Sequence, residues 1–388
     1  VRFLTAGESH GKGLTILVDD VPAGLPFDFE LLAKDLARRQ IGYGRGGRMK
    51  IETDSAEVTS GVRFSTTTGA PIALFIQNRD FQNWTDIMSA DGPPTDAKRF
   101  MRPRPGHADL AGFYKYGLTD LRDALERSSA RETASRVAAG AVAKMLLKAL
   151  GIDVFSHMTK LGGIVATDLP EDFTALHTRA ESNDLRCAAP DTVLDAMRAA
   201  VMDALQAGTT LGGEVEVVAL NVPPGLGTYV QWDRRLDGQL AQAVMSIQAV
   251  KAVAIGDGQL GGDVTGSEFH DAITPTGLDS VTRPTNRAGG LEGGVTNGMP
   301  VIVRAVMKPI STMRTALGSI NLETGEAETA HFERSDVTAV PACGVVAEAM
   351  VAVVLARAVM DKFGHDSLRD IQASLNAYRE QLKPVPLG

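Results

Sequence analysis

Two cysteines, Cys187 and Cys343, are all that the 388 residues contain. They stand far apart, so neither a disulfide framework nor a metal site is expected, and both read as small buried residues of a reducing compartment. Aromatic residues make up 5% of the chain and the net charge is -8. That balance argues against a nucleic-acid partner, which calls for a basic face and stacking rings. No basic segment followed by an apolar stretch opens the chain, so no signal peptide is expected and the location reads as cytoplasmic. Long hydrophobic runs are scarce. The most apolar one, 345–360, is interrupted by Glu348 and Arg357 and reads as a core helix too short to span a bilayer, so no membrane partner is expected. Linker-like tracts and fixed-period repeats are missing too, which favours one domain over 1–388.

Against this background, residues 38–50 read RRQIGYGRGGRMK, with Arg38, Arg39, Arg45, Arg48 and Lys50 among four glycines. Glycine brings backbone close to a ligand, and guanidiniums fork onto carboxylate or phosphate oxygens. The segment suits a small, multiply charged anion. It also contains Gly-x-Gly-x-x-Gly at Gly42, Gly44 and Gly47, but a dinucleotide fold needs a strand before that motif and a helix after it. Here the order is reversed: Asp28 caps a helix that runs towards Arg39, and 51–64 alternates like a strand at Val58 and Val62. The dinucleotide reading is rejected. A polyanion-binding arginine/glycine segment is the remaining non-enzymatic alternative.

Helices are expected at 129–150, 191–206, 236–247, 344–362 and 367–381, and strands near 14–18, 71–76, 213–220 and 300–307. Such a mixture favours an α/β or α+β sandwich over regular βαβ alternation. Residues 256–300 hold eleven glycines with little periodicity. A loop that long is expected to wrap its backbone round a ligand.

Two of the seven histidines sit in rigid turns, His10 within Gly7-Glu8-Ser9-His10-Gly11 and His107 between Gly106 and Ala108 after Arg102-Pro103-Arg104-Pro105. Each is a candidate proton carrier near neutrality. Gly7, Ser9 and Gly11 also match a nucleophile elbow, although the context is poor. Arg127-Ser128-Ser129-Ala130-Arg131-Glu132 is expected to open the alanine-rich helix and offers hydroxyls, amides and a guanidinium to an anion. Arg334-Ser335-Asp336 adds a carboxylate beside a guanidinium, a candidate proton acceptor.

These motifs, with Asn286 to Gly298 and Lys308-Pro309-Ile310-Ser311-Thr312, resemble the chorismate synthase family in order over essentially the whole chain. The resemblance implies a single-domain β-α-β sandwich, a homotetramer and reduced FMN as cofactor, with no metal. It implies anti-1,4-elimination of phosphate from 5-enolpyruvylshikimate 3-phosphate. By the same resemblance Arg39, Arg45, Arg48, Arg104, Arg131 and Arg334 surround the substrate. His10 assists the departing phosphate, His107 serves the reduced flavin, and Asp336 takes part in removing the ring proton. FMN is assigned to Arg127, Ser128, Ser129, Gln248, Ala249, Gly293, Lys308, Pro309, Ile310, Ser311, Thr312 and Arg334. NADPH enters only as a flavin reductant, with Arg39 and Arg45 as positions that do not separate nucleotide from substrate. A flavoprotein oxidoreductase is the nearest alternative. The chain departs from the family pattern at Asp20, Phe64 and Gln259, where glycine, histidine and phenylalanine are usual.

Overall fold

Alternating burial in Gly13–Asp19 turns Leu14, Ile16 and Val18 inward and leaves Leu17 and Asp19 outside. This strand sits second in an antiparallel sheet ordered Arg2–Ala6, Gly13–Asp19, Ile72–Gln77, Ala56–Ser60. A second antiparallel sheet runs Val250–Ile255, Val301–Met307, Gly213–Leu220, Asp153–Leu161, Ile164–Val165. The structure is a computed structural model that describes residues 1–45, 53–93, 95–275, 281–333 and 336–382. Arg48 and Arg334 lie outside the described residues, as do Lys50 and Ser335.

Helices stand between the sheets. Helix Thr133–Ala149 touches the first sheet on one side and helix Val340–Phe363 on the other, and the latter lies against Asp153–Leu161 and Gly213–Leu220 of the second sheet. The two helices approach closely at Gly140, where a Cβ would stand 2.2 Å from the Cβ of Ala349. No larger residue fits without separating them. Helix Val340–Phe363 has 24 residues, so by length and composition it could cross a membrane, contrary to the expectation that the run is too short. Its apolar window is 94% buried within the protein, as befits the expected core helix.

Several boundaries differ from the sequence expectations, for local physical reasons. The alanine-rich helix begins at Thr133, because Ser129 first caps a 3₁₀ turn, Ala130–Glu132, by accepting the N–H of Arg131. Arg127 and Ser128 therefore end the preceding helix, Leu121–Ser128, and do not open the next. The core helix starts at Val340 with Pro341 in its first turn. Gly344, which looks like a boundary, is glycine because a Cβ there would lie 2.8 Å from Ser156 Oγ. Asp20 sits at φ +60, a conformation glycine adopts freely, and its carboxylate holds the Val1 amine at 3.1 Å.

Candidate active site

A cavity of about 530 Å³ collects side chains from elements far apart in sequence. Ser9 and His10 come from the turn between the first two strands, and Arg39 from the end of helix Phe29–Gln40. Arg45 follows in the glycine loop, and Arg104 and His107 lie in the proline–glycine turn. Arg131 belongs to the 3₁₀ turn, Gln248 and Ala249 precede strand Val250–Ile255, and Lys308 follows strand Val301–Met307. Asp336 and Cys343 flank the start of the core helix. The lining carries five cations, Arg39, Arg45, Arg104, Arg131 and Lys308, against two carboxylates, Glu333 and Asp336. In a chain of net charge -8, that local excess is of the sign that attracts an anion.

The cations are held from behind. Asp54, whose side chain is fully buried, takes Arg39 Nη2 at 2.6 Å and also Arg131 Nη1. Burial works against its carboxylate, but Arg39 and Arg131 outweigh burial and keep its pKa below the ordinary value. Arg39 Nη1 adds Thr133 Oγ1 at 3.3 Å, and Arg131 Nε adds Asn78 Oδ1 at 2.9 Å. Asn78 Nδ2 in turn donates to the carbonyls of Glu8 and Gly11 at 3.0 and 2.8 Å, fixing the turn that carries His10. Arg39 Nε and Arg131 Nη2 are buried without a partner among the described residues. Burial, with Arg131 and Arg45 nearby, pulls the Arg39 pKa down despite Asp54. Lys308 is pulled down by burial and by Lys251. An anion entering here relieves unsatisfied donors and like-charge crowding together.

Both site histidines are backed by buried carboxylates. His10 Nδ1 lies 2.8 and 3.0 Å from the two carboxylate oxygens of Glu126, and its ring stacks on Trp84 at 3.9 Å. His107 Nδ1 lies 2.5 Å from Asp109 Oδ1, and Arg104 Nε binds Asp109 Oδ2 at 2.8 Å. Burial raises the Asp109 pKa, but the contacts with His107 and Arg104 bring it far below the usual range. Glu333 is likewise brought down to about 2: burial raises it, and His331, Arg122 and Arg104 more than compensate. Asp336 pairs with Arg45 at 3.2 Å, so the expected proton acceptor faces an expected substrate arginine.

Of the expected cofactor residues, Ser128, Ser129, Gln248, Ala249, Lys308, Ile310, Ser311 and Thr312 line the cavity. Ala249 is held at φ +69, a strained conformation for alanine, and its carbonyl accepts the Lys308 N–H at 2.9 Å. Gln248 Nε2 donates to Glu132 at 2.9 Å, while its Oε1 is buried and unpartnered among the described residues. Arg127, Pro309 and Gly293 are not brought to the lining. Arg127 is exposed and donates to the Thr5 carbonyl and hydroxyl at 3.0 and 2.8 Å. Gly293 turns the hairpin joining Leu291–Glu292 and Val295–Thr296, with Tyr229 nearby. None of the described residues of 256–300 lines this cavity.

Sequence reasoning missed Asp54, Asn78, Glu126, Trp84 and Asp109. Only Asp109 carries a local signal, its His-x-Asp spacing to His107.

The family model described as chorismate synthase matches residues 1–360. A chorismate synthase of Moorella thermoacetica is 53% identical over 386 residues, 99% of this chain and 100% of that protein. One of Aquifex aeolicus is 49% identical over 392 residues, covering 99% and 98%. A solved structure described as the crystal structure of chorismate synthase superposes with a TM-score of 0.79 at 40% identity, covering 98% of each chain. Matched from end to end in sequence and in its mixed helix-and-sheet fold, the chain belongs to the chorismate synthase family of lyases.

Proposed function

We propose that the cavity performs the anti-1,4-elimination of phosphate from 5-enolpyruvylshikimate 3-phosphate to give chorismate, a step of the shikimate route to aromatic compounds. The observation that carries this reading is the concentration of five cations in one cavity, beside two carboxylate-backed histidines. The substrate bears one phosphate and two carboxylates, and Arg39, Arg45, Arg104 and Arg131, with Arg48 and Arg334, would neutralise them. His10 would deliver a proton to the departing phosphate from Nε2, since Nδ1 is taken by Glu126. Asp336 would accept the ring proton once substrate competes for Arg45. His107 would hold a proton on the cofactor side.

The residues present suit reduced FMN. The Gln248 amide oxygen, buried without a partner among the described residues, the Ser128 and Ser129 hydroxyls and the Lys308 ammonium offer a donor and acceptor set for a phosphorylated ring system. It would be held by Ser128, Ser129, Gln248, Ala249 and Lys308 to Thr312, with Arg127, Gly293 and Arg334 as the family resemblance assigns them. When bound, reduced FMN supplies a transient electron that lowers the barrier to losing phosphate and is recovered at the end. We also take the layers as a β-α-β sandwich forming one domain over 1–388, assembled as a cytoplasmic homotetramer.

The test is phosphate release from 5-enolpyruvylshikimate 3-phosphate under anaerobic conditions with chemically reduced FMN. Turnover without net consumption of reductant is expected; no release would overturn the reading, and stoichiometric consumption would make the chain an oxidoreductase. Repeating the assay with oxidised FMN and NADPH decides whether the chain reduces its own flavin.

A further inference from the structure

The proposed role of His10 requires one particular ring nitrogen to face the reacting atoms, and three contacts from a single residue arrange this. Glu126 has a side chain only 1% exposed, and both its oxygens lie against His10 Nδ1. The same carboxylate accepts the His10 backbone N–H at 2.8 Å, and the Glu126 carbonyl accepts the Ser9 N–H at 3.0 Å. Arg122, one turn earlier on helix Leu121–Ser128, donates to Glu126 Oε1 at 3.1 Å and keeps the carboxylate in place. The helix is itself seated closely against helix Asp109–Tyr116, since a Cβ on Gly112 would lie 2.8 Å from the Ala124 Cβ. Glu126 thus grips the edge of the imidazole, while Trp84 covers its face with an interplanar angle of 22°. Lys98 and Arg122 lie over the Trp84 ring at 3.5 and 5.3 Å.

A carboxylate accepts hydrogen bonds and does not donate them, so the Nδ1 it faces must carry the proton. We propose that Glu126 is a positioning residue for the reaction, keeping a proton on His10 Nδ1 both before and after Nε2 gives its own proton to the departing phosphate, so that Nε2 is the atom that exchanges protons in the cavity. The proposal rests on the functional reading above, and its effect runs wholly through His10. Charge and orientation both matter: an amide in place of the carboxylate can turn its NH₂ towards Nδ1 and stabilise the opposite tautomer.

A double-mutant cycle in the phosphate-release assay tests this. Glu126→Gln alone is expected to lower kcat about 100-fold, at the low end of what a positioned proton donor contributes, with KM changed less than about threefold. In a His10→Ala background the same substitution is expected to cost less than about twofold, because the residue it positions is already gone. An equal cost in both backgrounds, or no cost alone, overturns the proposal. A second measurement needs neither variant nor turnover: ¹⁵N spectra of histidine-labelled wild-type protein should show His10 protonated at Nδ1. The tautomer protonated only at Nε2 overturns the proposal even if the protein folds poorly when mutated. If wild-type protein releases no phosphate but shows the expected tautomer, the functional reading fails and the positioning contact stands.

Discussion

Arg38 and Arg39 are neighbours on one helix, are 8% and 6% exposed, and have opposite fates. Arg38 spends all five guanidinium N–H groups on carboxylates: Glu181 at 3.0 and 2.8 Å, Asp35 at 2.7 Å, and Glu348 at 2.9 and 2.7 Å. Lys144 and Arg186 join the same three acids, so three cations meet three anions and join the first helix, the two central helices and the second sheet through Ser156. Burial opposes the Arg38 charge, yet Glu348 and the other acids raise its pKa well above the ordinary value. Arg39 shares Asp54 with Arg131, keeps an Nε without a partner among the described residues, and has its pKa lowered. A buried guanidinium in a balanced cluster is a staple, whereas one in a cationic excess is waiting for an anion.

The largest expected effect breaks the staple. Arg38→Met leaves Asp35, Glu181 and Glu348 short of a cation in the core and should cost about 3 to 5 kcal/mol, read as a lower urea midpoint at constant m-value. Arg39→Met should cost about 1.5 kcal/mol or less, since Arg131 still holds Asp54 and a like charge is removed. Equal losses would end the distinction. The staple also carries a pH signature. Burial raises the pKa of Glu348 and of Glu181, but Arg38 and its neighbours outweigh it, so both fall below the ordinary 4.5 in the folded state. The unfolded chain then binds protons more readily. The stability these groups contribute is full above about pH 4.5 and is lost as pH falls towards their folded values. The urea midpoint should be level near neutrality and fall on the acid side, and Arg38→Met should make that fall shallower.

The next effect is on binding. Arg39→Ala removes a charged donor from the cavity and should weaken 5-enolpyruvylshikimate 3-phosphate by about 1.5 to 3 kcal/mol, roughly 10- to 150-fold in Kd by titration calorimetry. An unchanged Kd would place Arg39 with the staples.

The sequence could not separate these two arginines, because one residue's rotation about a helix decides which layer a side chain meets. It did point to the cationic cavity through Arg39 and Arg45, since arginines among glycines stand out against an acidic chain. The long apolar helix was legible as core, and Glu348 appeared only as an interruption whose partners lie up to 310 residues away. The short helices Asp109–Tyr116 and Leu121–Ser128, which bring the carboxylates to both histidines, have eight residues each, too few for a clear apolar period. The 256–300 segment was read as ligand-wrapping from its glycines. In the fold, part of that density serves backbone packing against backbone: a Cβ on Gly289 would stand 2.4 Å from the Gly256 nitrogen, and Asp271 accepts from Thr285, Arg287 and Ala288.

The smallest expected effect comes from Arg127, assigned to FMN by resemblance. It is exposed, and its bonds to Thr5 compete with water, so they hold it only weakly in its present place. If charge balance within the cavity decides which arginines bind, Arg127→Ala should weaken reduced FMN by no more than about 1 kcal/mol, about fivefold. Lys308→Ala should cost more, because it removes a cation from the lining of the cavity. Anaerobic titration of both variants with reduced FMN makes the comparison. A loss above tenfold for Arg127→Ala would mean that this side chain leaves Thr5 and enters the site on binding, and burial in the free protein would then not identify the ligand arginines.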